Sequence, residues 1–246
     1  MVFLKQDGGA GKSGEAEAGD DRIYDSLLAA IYEVQLPPGT KLPEDALAGT
    51  FGVSRTGVRK VLQRLAVERL VDLRPNRGAV VATPTVSEAR DVFAARRLVE
   101  CGALPAVIAN AGPHDTARLR ALLRDEDAAQ LRADRAAAIR LSGEFHRQLM
   151  VLSGNALLTG FLAALVVRSS LIIATYGTPI ALSCRHSDHE QIMDLIEAGQ
   201  VDAAVQWMER HLSDVEASCA FAGEETAEPD LKGILLAIAG RGTGLA

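Results

Sequence analysis

The sequence predicts a mostly α-helical protein in two parts: a winged helix-turn-helix of three helices and a β-hairpin, joined to an all-α bundle of about six helices. Three observations predict it. Ala, Leu, Arg and Glu, all good helix formers, dominate the chain. One stretch, "LVDLRPNRGAVVAT" at 70–83, abandons helical spacing for β-rich runs around a turn. Charge is also partitioned. Residues 22–85 hold nine Lys/Arg and six Asp/Glu, whereas residues 86–246 hold fifteen and twenty-one, so the net −6 conceals a basic segment tied to an acidic one.

Residues 1–21 are rich in Gly, Glu and Ala and are expected to form a disordered tail. From Arg22 a helix is predicted, because Ile23, Leu27, Leu28, Ile31 and Val34 recur at helical spacing. "LPPGTKL" (36–42) breaks it with two prolines and a glycine. A short helix over 44–51 turns Leu47 and Phe51 inward, and a tight turn at Gly52 leads to Ser54, a side chain suited to capping the next helix. On that helix Val58, Val61, Leu62 and Leu65 mark the core side, so Arg55, Arg59 and Lys60 lie away from it. "LVDLR" and "AVVAT" then pair around "PNRG", completing a unit over 22–85.

From residue 86 the chain is helical, with helices predicted at 87–111, 114–132, 134–152, 156–175, 184–198 and 201–221 and breaks at "GPHD", "SGN", "YGTP" and "AGQ". This second unit spans 86–222 and leaves a flexible, Gly-rich tail over 223–246. The N-terminus lacks the apolar run of a signal peptide. The apolar run "ALLTGFLAALVV" stops at Arg168, short of a bilayer span, so no membrane association is expected. Cys101, Cys184 and Cys219, odd in number and scattered, read as reduced thiols of a cytoplasmic protein.

The stretch "LPPGTKLPEDALAGTFGVSRTGVRKVLQRLAVERLVDLRPNRGAVVA" closely resembles the DNA-binding domain of the GntR family of bacterial regulators. "ARRLVE" (95–100), "EFHRQLMVLSGNALL" (144–158) and "DHEQIMDLIEAGQVDAAVQWMERHL" (188–212) resemble the helical effector domain of that family's FCD branch. The resemblance spans about residues 22–221 and implies a homodimeric, ligand-responsive transcriptional regulator, by family habit a repressor. It implies a palindromic double-stranded operator and a small anionic, carboxylate-type effector.

The chemistry of the residues agrees with that implication. A helix fits the major groove, its N-terminal residues reading base edges while flanking groups hold phosphates. By resemblance Arg55 and Arg59 read bases, and Ser54, Thr56 and Gly78 contact the backbone, with Arg77 beside Gly78 at the wing tip. Many relatives carry an arginine early in the second helix where this chain has Asp45, an acid that repels phosphate and puts a borrowed operator in doubt. In isolation such a basic helix is better read as a solvated face; the surrounding fold favours DNA.

His146, His189 and His211 match the family's three metal-binding histidines, a donor set suited to Zn²⁺ or Ni²⁺. The usual carboxylate or amide ligand four residues before the first histidine is replaced by Ser142, and Glu144 projects to nearly the opposite face. The histidines therefore read either as a three-histidine metal site or as polar lining. Ser142 and Arg96 are candidate effector contacts; Arg96 reads equally as the partner of Glu100 one turn on. A metal-dependent enzyme built on the three histidines is the alternative function. "GGAGKS" lacks the first glycine and the strand of a phosphate loop, "GVSRT" lacks the last glycine of a nucleophile elbow, and "HEQIM" lacks the second histidine of a zinc protease. None supports an enzyme.

Overall fold

The computed structural model describes residues 10–74, 78–178 and 188–220. These form two compact units, one from 10–31 and 39–82 and the other from 32–38 and 83–220. The predicted architecture is the observed one: three helices with a small sheet, then a helical bundle.

The first unit comprises α1 (Ala10–Tyr32), β1 (Lys41–Leu42), α2 (Glu44–Phe51), α3 (Arg55–Val67), β2 (Val71–Arg74) and β3 (Gly78–Val81). Helix α1 begins at Ala10, not at Arg22, so part of the segment expected to be disordered is helical. The helix extends N-terminally from a turn anchored by buried Ile23 and Leu27, and helix-favouring Glu15, Ala16, Glu17 and Ala18 carry it past the glycines of that segment. Gly52 closes α2 with a left-handed φ of 67°, a conformation glycine adopts without strain. Ser54 caps α3, its hydroxyl accepting from the Gly57 N–H at 3.1 Å. Val58, Val61, Leu62 and Leu65 are buried as their spacing requires. The predicted hairpin is β2 and β3, paired antiparallel from Val71–Val81 to Arg74–Gly78. A third strand, absent from the sequence reading, is β1, which adds to the other edge of β3 and gives the order β1-β3-β2. Two residues are too few for an alternation signal.

The second unit contains α4 (Val86–Asn110), α5 (Pro113–Leu131), α6 (Arg135–Val151), α7 (Ala156–Tyr176), α8 (Asp188–Glu197) and α9 (Val201–Ala217). Thr85 opens α4 with a reciprocal capping box to Glu88. Asn155 opens α7, its Oδ1 accepting from Leu157 and Leu158 N–H at 3.1 Å each. Phe145, Leu149, Ile192, Met193, Met208 and Leu212 lead the main core, drawing α6, α8 and α9 together with α4 and α5. Helix α7 runs through Arg168 to Tyr176. By length and composition alone it would reach across a bilayer, but one side is buried in the unit at Leu162, Val166, Leu171 and Ile172. The predicted start of α8 at 184, Cys184, Arg77 and the 223–246 tail lie outside the described residues.

Candidate nucleic-acid interface and histidine pocket

The outward face of α3 begins with Ser54, Arg55, Thr56, Arg59 and Lys60, all exposed, while buried Val58 and Leu62 fix the opposite face. The two arginines do not point freely into solvent. Arg55 pairs through Nε with Oδ1 of Asp45 in the first turn of α2. Arg59 grips Glu44 with two bonds, Nε–Oε1 at 3.0 Å and Nη2–Oε2 at 2.8 Å. Gly78 is exposed at the start of β3 with a φ of 76°.

In the second unit one pocket gathers Arg96 from α4, Glu126 and Gln130 from α5, Ser142 and His146 from α6, Ser169 from α7, His189 from α8 and His211 from α9. The metal and effector candidates Arg96, Ser142, His146, His189 and His211 therefore meet. The histidines are buried because each sits in the apolar stripe of its own helix, as His146 does between Phe145 and Leu149. Their ligand atoms lie within 4.8 Å of one another, and Nε2 of His189 is 3.3 Å from Nε2 of His211. Glu144 bonds instead to Arg147 and Gln148, away from the pocket lining. His114 is exposed elsewhere.

Two carboxylates stand behind the imidazoles. Glu100 Oε2 lies 2.5 Å from His146 Nδ1, and Glu126 Oε2 lies 2.9 Å from His189 Nδ1. Each contact favours a proton on Nδ1 and so a lone pair on Nε2. Burial pushes the His146 imidazole down to about 4, Glu100 pulls it upward and Arg96 reinforces the burial, so the ring is neutral at pH 7. Burial opposes charge on Glu100, but Arg96 and His146 outweigh it and hold the carboxyl well below the usual carboxylate range. Trp207, the only tryptophan, stacks on His211 at 4.8 Å and 10°.

Arg96 makes the ion pair to Glu100 that one of its sequence readings gave it, and it lines the pocket. Its Nε donates to Glu100 at 2.7 Å and its Nη1 to Ser169 at 3.0 Å, yet its Nη2 is buried without a hydrogen-bond partner among the described residues. A buried N–H left unpaired costs about 1–3 kcal/mol, so a pocket holding one favours a ligand that brings an acceptor. Sequence reasoning missed Glu126 and gave Glu100 no contact with a histidine. Glu126 did leave a signal, since it continues the buried row of Leu119 and Leu123 where an apolar residue is ordinary.

An exposed basic helix on one unit and a polar, buried pocket on the other suit a DNA-binding regulator. Comparison with known proteins agrees: residues 20–81 match the family described as bacterial regulatory proteins, gntR family, and residues 91–214 match the FCD domain. The chain belongs to the GntR family of transcriptional regulators, with a C-terminal FCD domain, and is not an enzyme. It is 32% identical over 197 residues to an HTH-type transcriptional regulator of Streptomyces ambofaciens, covering 78% of this chain and 81% of the relative. A "Probable D-xylose utilization operon transcriptional repressor" of Paenarthrobacter nicotinovorans is 24% identical over 78% of this chain and 84% of its own. The Escherichia coli McbR/YncC structure superposes with a TM-score of 0.73 at 20% identity, covering 81% of this chain and 95% of that one, and shares the fold.

Proposed function

We propose that this regulator binds a palindromic operator as a homodimer in the cytoplasm and represses until a small carboxylate-bearing effector enters the histidine pocket. The observation that carries the proposal is the convergence of Arg96, with its unpartnered Nη2, and three buried histidines on one cavity. Arg96 offers the effector's carboxylate a charged donor, and Ser142 lies in the same lining. Repression follows the habit of relatives such as the Paenarthrobacter protein.

The donor set also fits a divalent transition metal. Two imidazoles bound to one such ion with nitrogens at ~2.1 Å stand roughly 3.0–3.4 Å apart, and the 3.3 Å between His189 and His211 falls in that range. His146, His189 and His211 would hold the ion, and its charge would supply electrostatic attraction for an anion. That attraction matters. With neutral imidazoles, Arg96, Glu100 and Glu126 leave one net negative charge, and a divalent cation makes it one positive. Effector affinity should therefore depend on metal.

Exposed apolar side chains on two helices that pack together support the homodimer. On α4 Leu98 is 80% exposed, and on α7 Leu157 and Phe161 are 75% and 63% exposed. Isolated apolar residues at a surface are ordinary, but several on adjoining helices suit burial against a second copy. Sedimentation should show a dimer that Leu157→Glu with Phe161→Glu dissociates.

Fluorescence anisotropy on the DNA upstream of its own gene, across a salt series, tests the function. Tight binding that withstands competitor DNA, weakens steeply with salt and is lost in Arg55→Ala is the expected result. Elemental analysis of untagged protein should find near-stoichiometric metal that His189→Ala removes. No binding at low salt with metal supplied would refute the regulator reading at its DNA step, and metal-free protein would refute the metal.

A further inference from the structure

The acids in the first turn of α2 sit against the proposed base-reading arginines of α3, an arrangement absent from any motif the sequence offered. Asp45 holds Arg55 through its Nε, and Glu44 holds Arg59 along the Nε–Nη2 edge. A carboxylate facing the reading helix should weaken DNA binding by repelling phosphates. The geometry points to a second effect.

A guanidinium is a planar fork with five N–H donors. A partner on Nε occupies the inner side of that fork and leaves the outer edge, formed by the two terminal nitrogens, open. Guanine presents O6 and N7 as a pair of acceptors matched to such an edge. An arginine already held by a carboxylate also loses less side-chain freedom when it docks. Resting on the reading of α3 as the base-reading helix, we propose that Asp45 is a specificity-determining residue: it positions Arg55 for base reading while its charge penalises contacts made to phosphate alone. The two effects separate on the two kinds of DNA. Repulsion weakens every complex alike, whereas positioning strengthens the matched complex alone, so the ratio of specific to non-specific affinity rises through positioning. Exposure of both partners, 70% for Arg55 and 66% for Asp45, leaves the pair accessible to DNA.

The test uses the full chain, a duplex enriched by the wild-type protein from a random-sequence library, and a scrambled duplex of equal composition. Asp45→Asn keeps the side chain's size and removes its charge; Asp45→Ala serves as the second variant. Loss of one repelling charge should tighten scrambled-duplex binding by about 3–10-fold, comparable to regaining a phosphate contact, and steepen the salt dependence. Enriched-duplex affinity should rise less or fall, so the specificity ratio drops. The decisive comparison is Arg55→Ala with and without Asp45→Asn. If Asp45 acts through Arg55, removing Asp45 leaves the ratio of Arg55→Ala unchanged. Equal tightening on both duplexes in the single variant would make Asp45 a plain electrostatic brake and overturn the proposal. Should Arg55→Ala keep the full ratio, or no duplex be enriched, the base-reading assignment of α3 fails first and takes the proposal with it.

Discussion

Replacing Arg96 by Met should destabilise the helical domain far more than an ordinary arginine substitution. Arg96 and Glu100 are each 3% exposed, joined at 2.7 Å, and the second carboxylate oxygen rests against His146. Methionine preserves much of the aliphatic stem but leaves Glu100 charged, buried and short of its main partner. Breaking such a pair from one side costs about 3–5 kcal/mol, and the remaining His146 contact places this case towards the lower end. With a urea m-value of about 2 kcal/mol/M, a loss of about 3 kcal/mol moves the midpoint by roughly 1.5 M. Glu100→Gln alone strands the arginine and should cost a similar amount. The double variant removes both charges, while the carbonyl oxygen of the introduced glutamine still accepts from His146 Nδ1. It should recover a coupling of about 2–3 kcal/mol. The sign of the pH dependence follows from the lowered Glu100 pKa: its stabilisation is present above the ordinary carboxylate pKa and is lost as pH falls towards the folded value. That acid-side loss should be smaller in Glu100→Gln. Urea titrations of chelator-treated protein, read by Trp207 fluorescence, provide the assay. Single variants costing under about 1 kcal/mol, or a double variant equal to their sum, would refute the reasoning.

Three further outcomes follow from local geometry. Gly143→Ala should cost about 1–3 kcal/mol in the same titration, because the added methyl meets the Tyr32 hydroxyl and Val166 Cγ1. Thr85→Ala should cost about 1 kcal/mol by removing the acceptor for the Glu88 N–H at 3.2 Å, and Thr85→Ser should keep most of it. Burial pushes the Cys101 thiol up to about 11, with Glu100 adding to the rise, so iodoacetamide at pH 8 should label it tens of times more slowly in folded than in urea-unfolded protein, on the order expected from lost thiolate. Peptide mapping by mass spectrometry would show it, and equal rates would contradict the burial of that thiol.

The sequence by itself determined what depends on neighbours along the chain. Helical spacing put Val58, Val61, Leu62 and Leu65 inside and Arg55 and Arg59 outside, and Ser54 was legible as a cap because capping is a contact over three residues. The same spacing turned Glu144 away from His146. It failed for the two-residue β1, whose pairing with β3 is non-local, and for the start of α1, where composition alone pointed to disorder. Only the tertiary structure decided which groups meet. Glu100 reaches His146 across 46 residues and Glu126 reaches His189 across 63, contacts fixed by the register between packed helices. Asp45 looked like a lost phosphate contact in the sequence and became the partner of Arg55 once α2 and α3 were packed. A period of 3.6 residues tells each side chain which way to face on its own helix; it carries no information about what another helix presents in return.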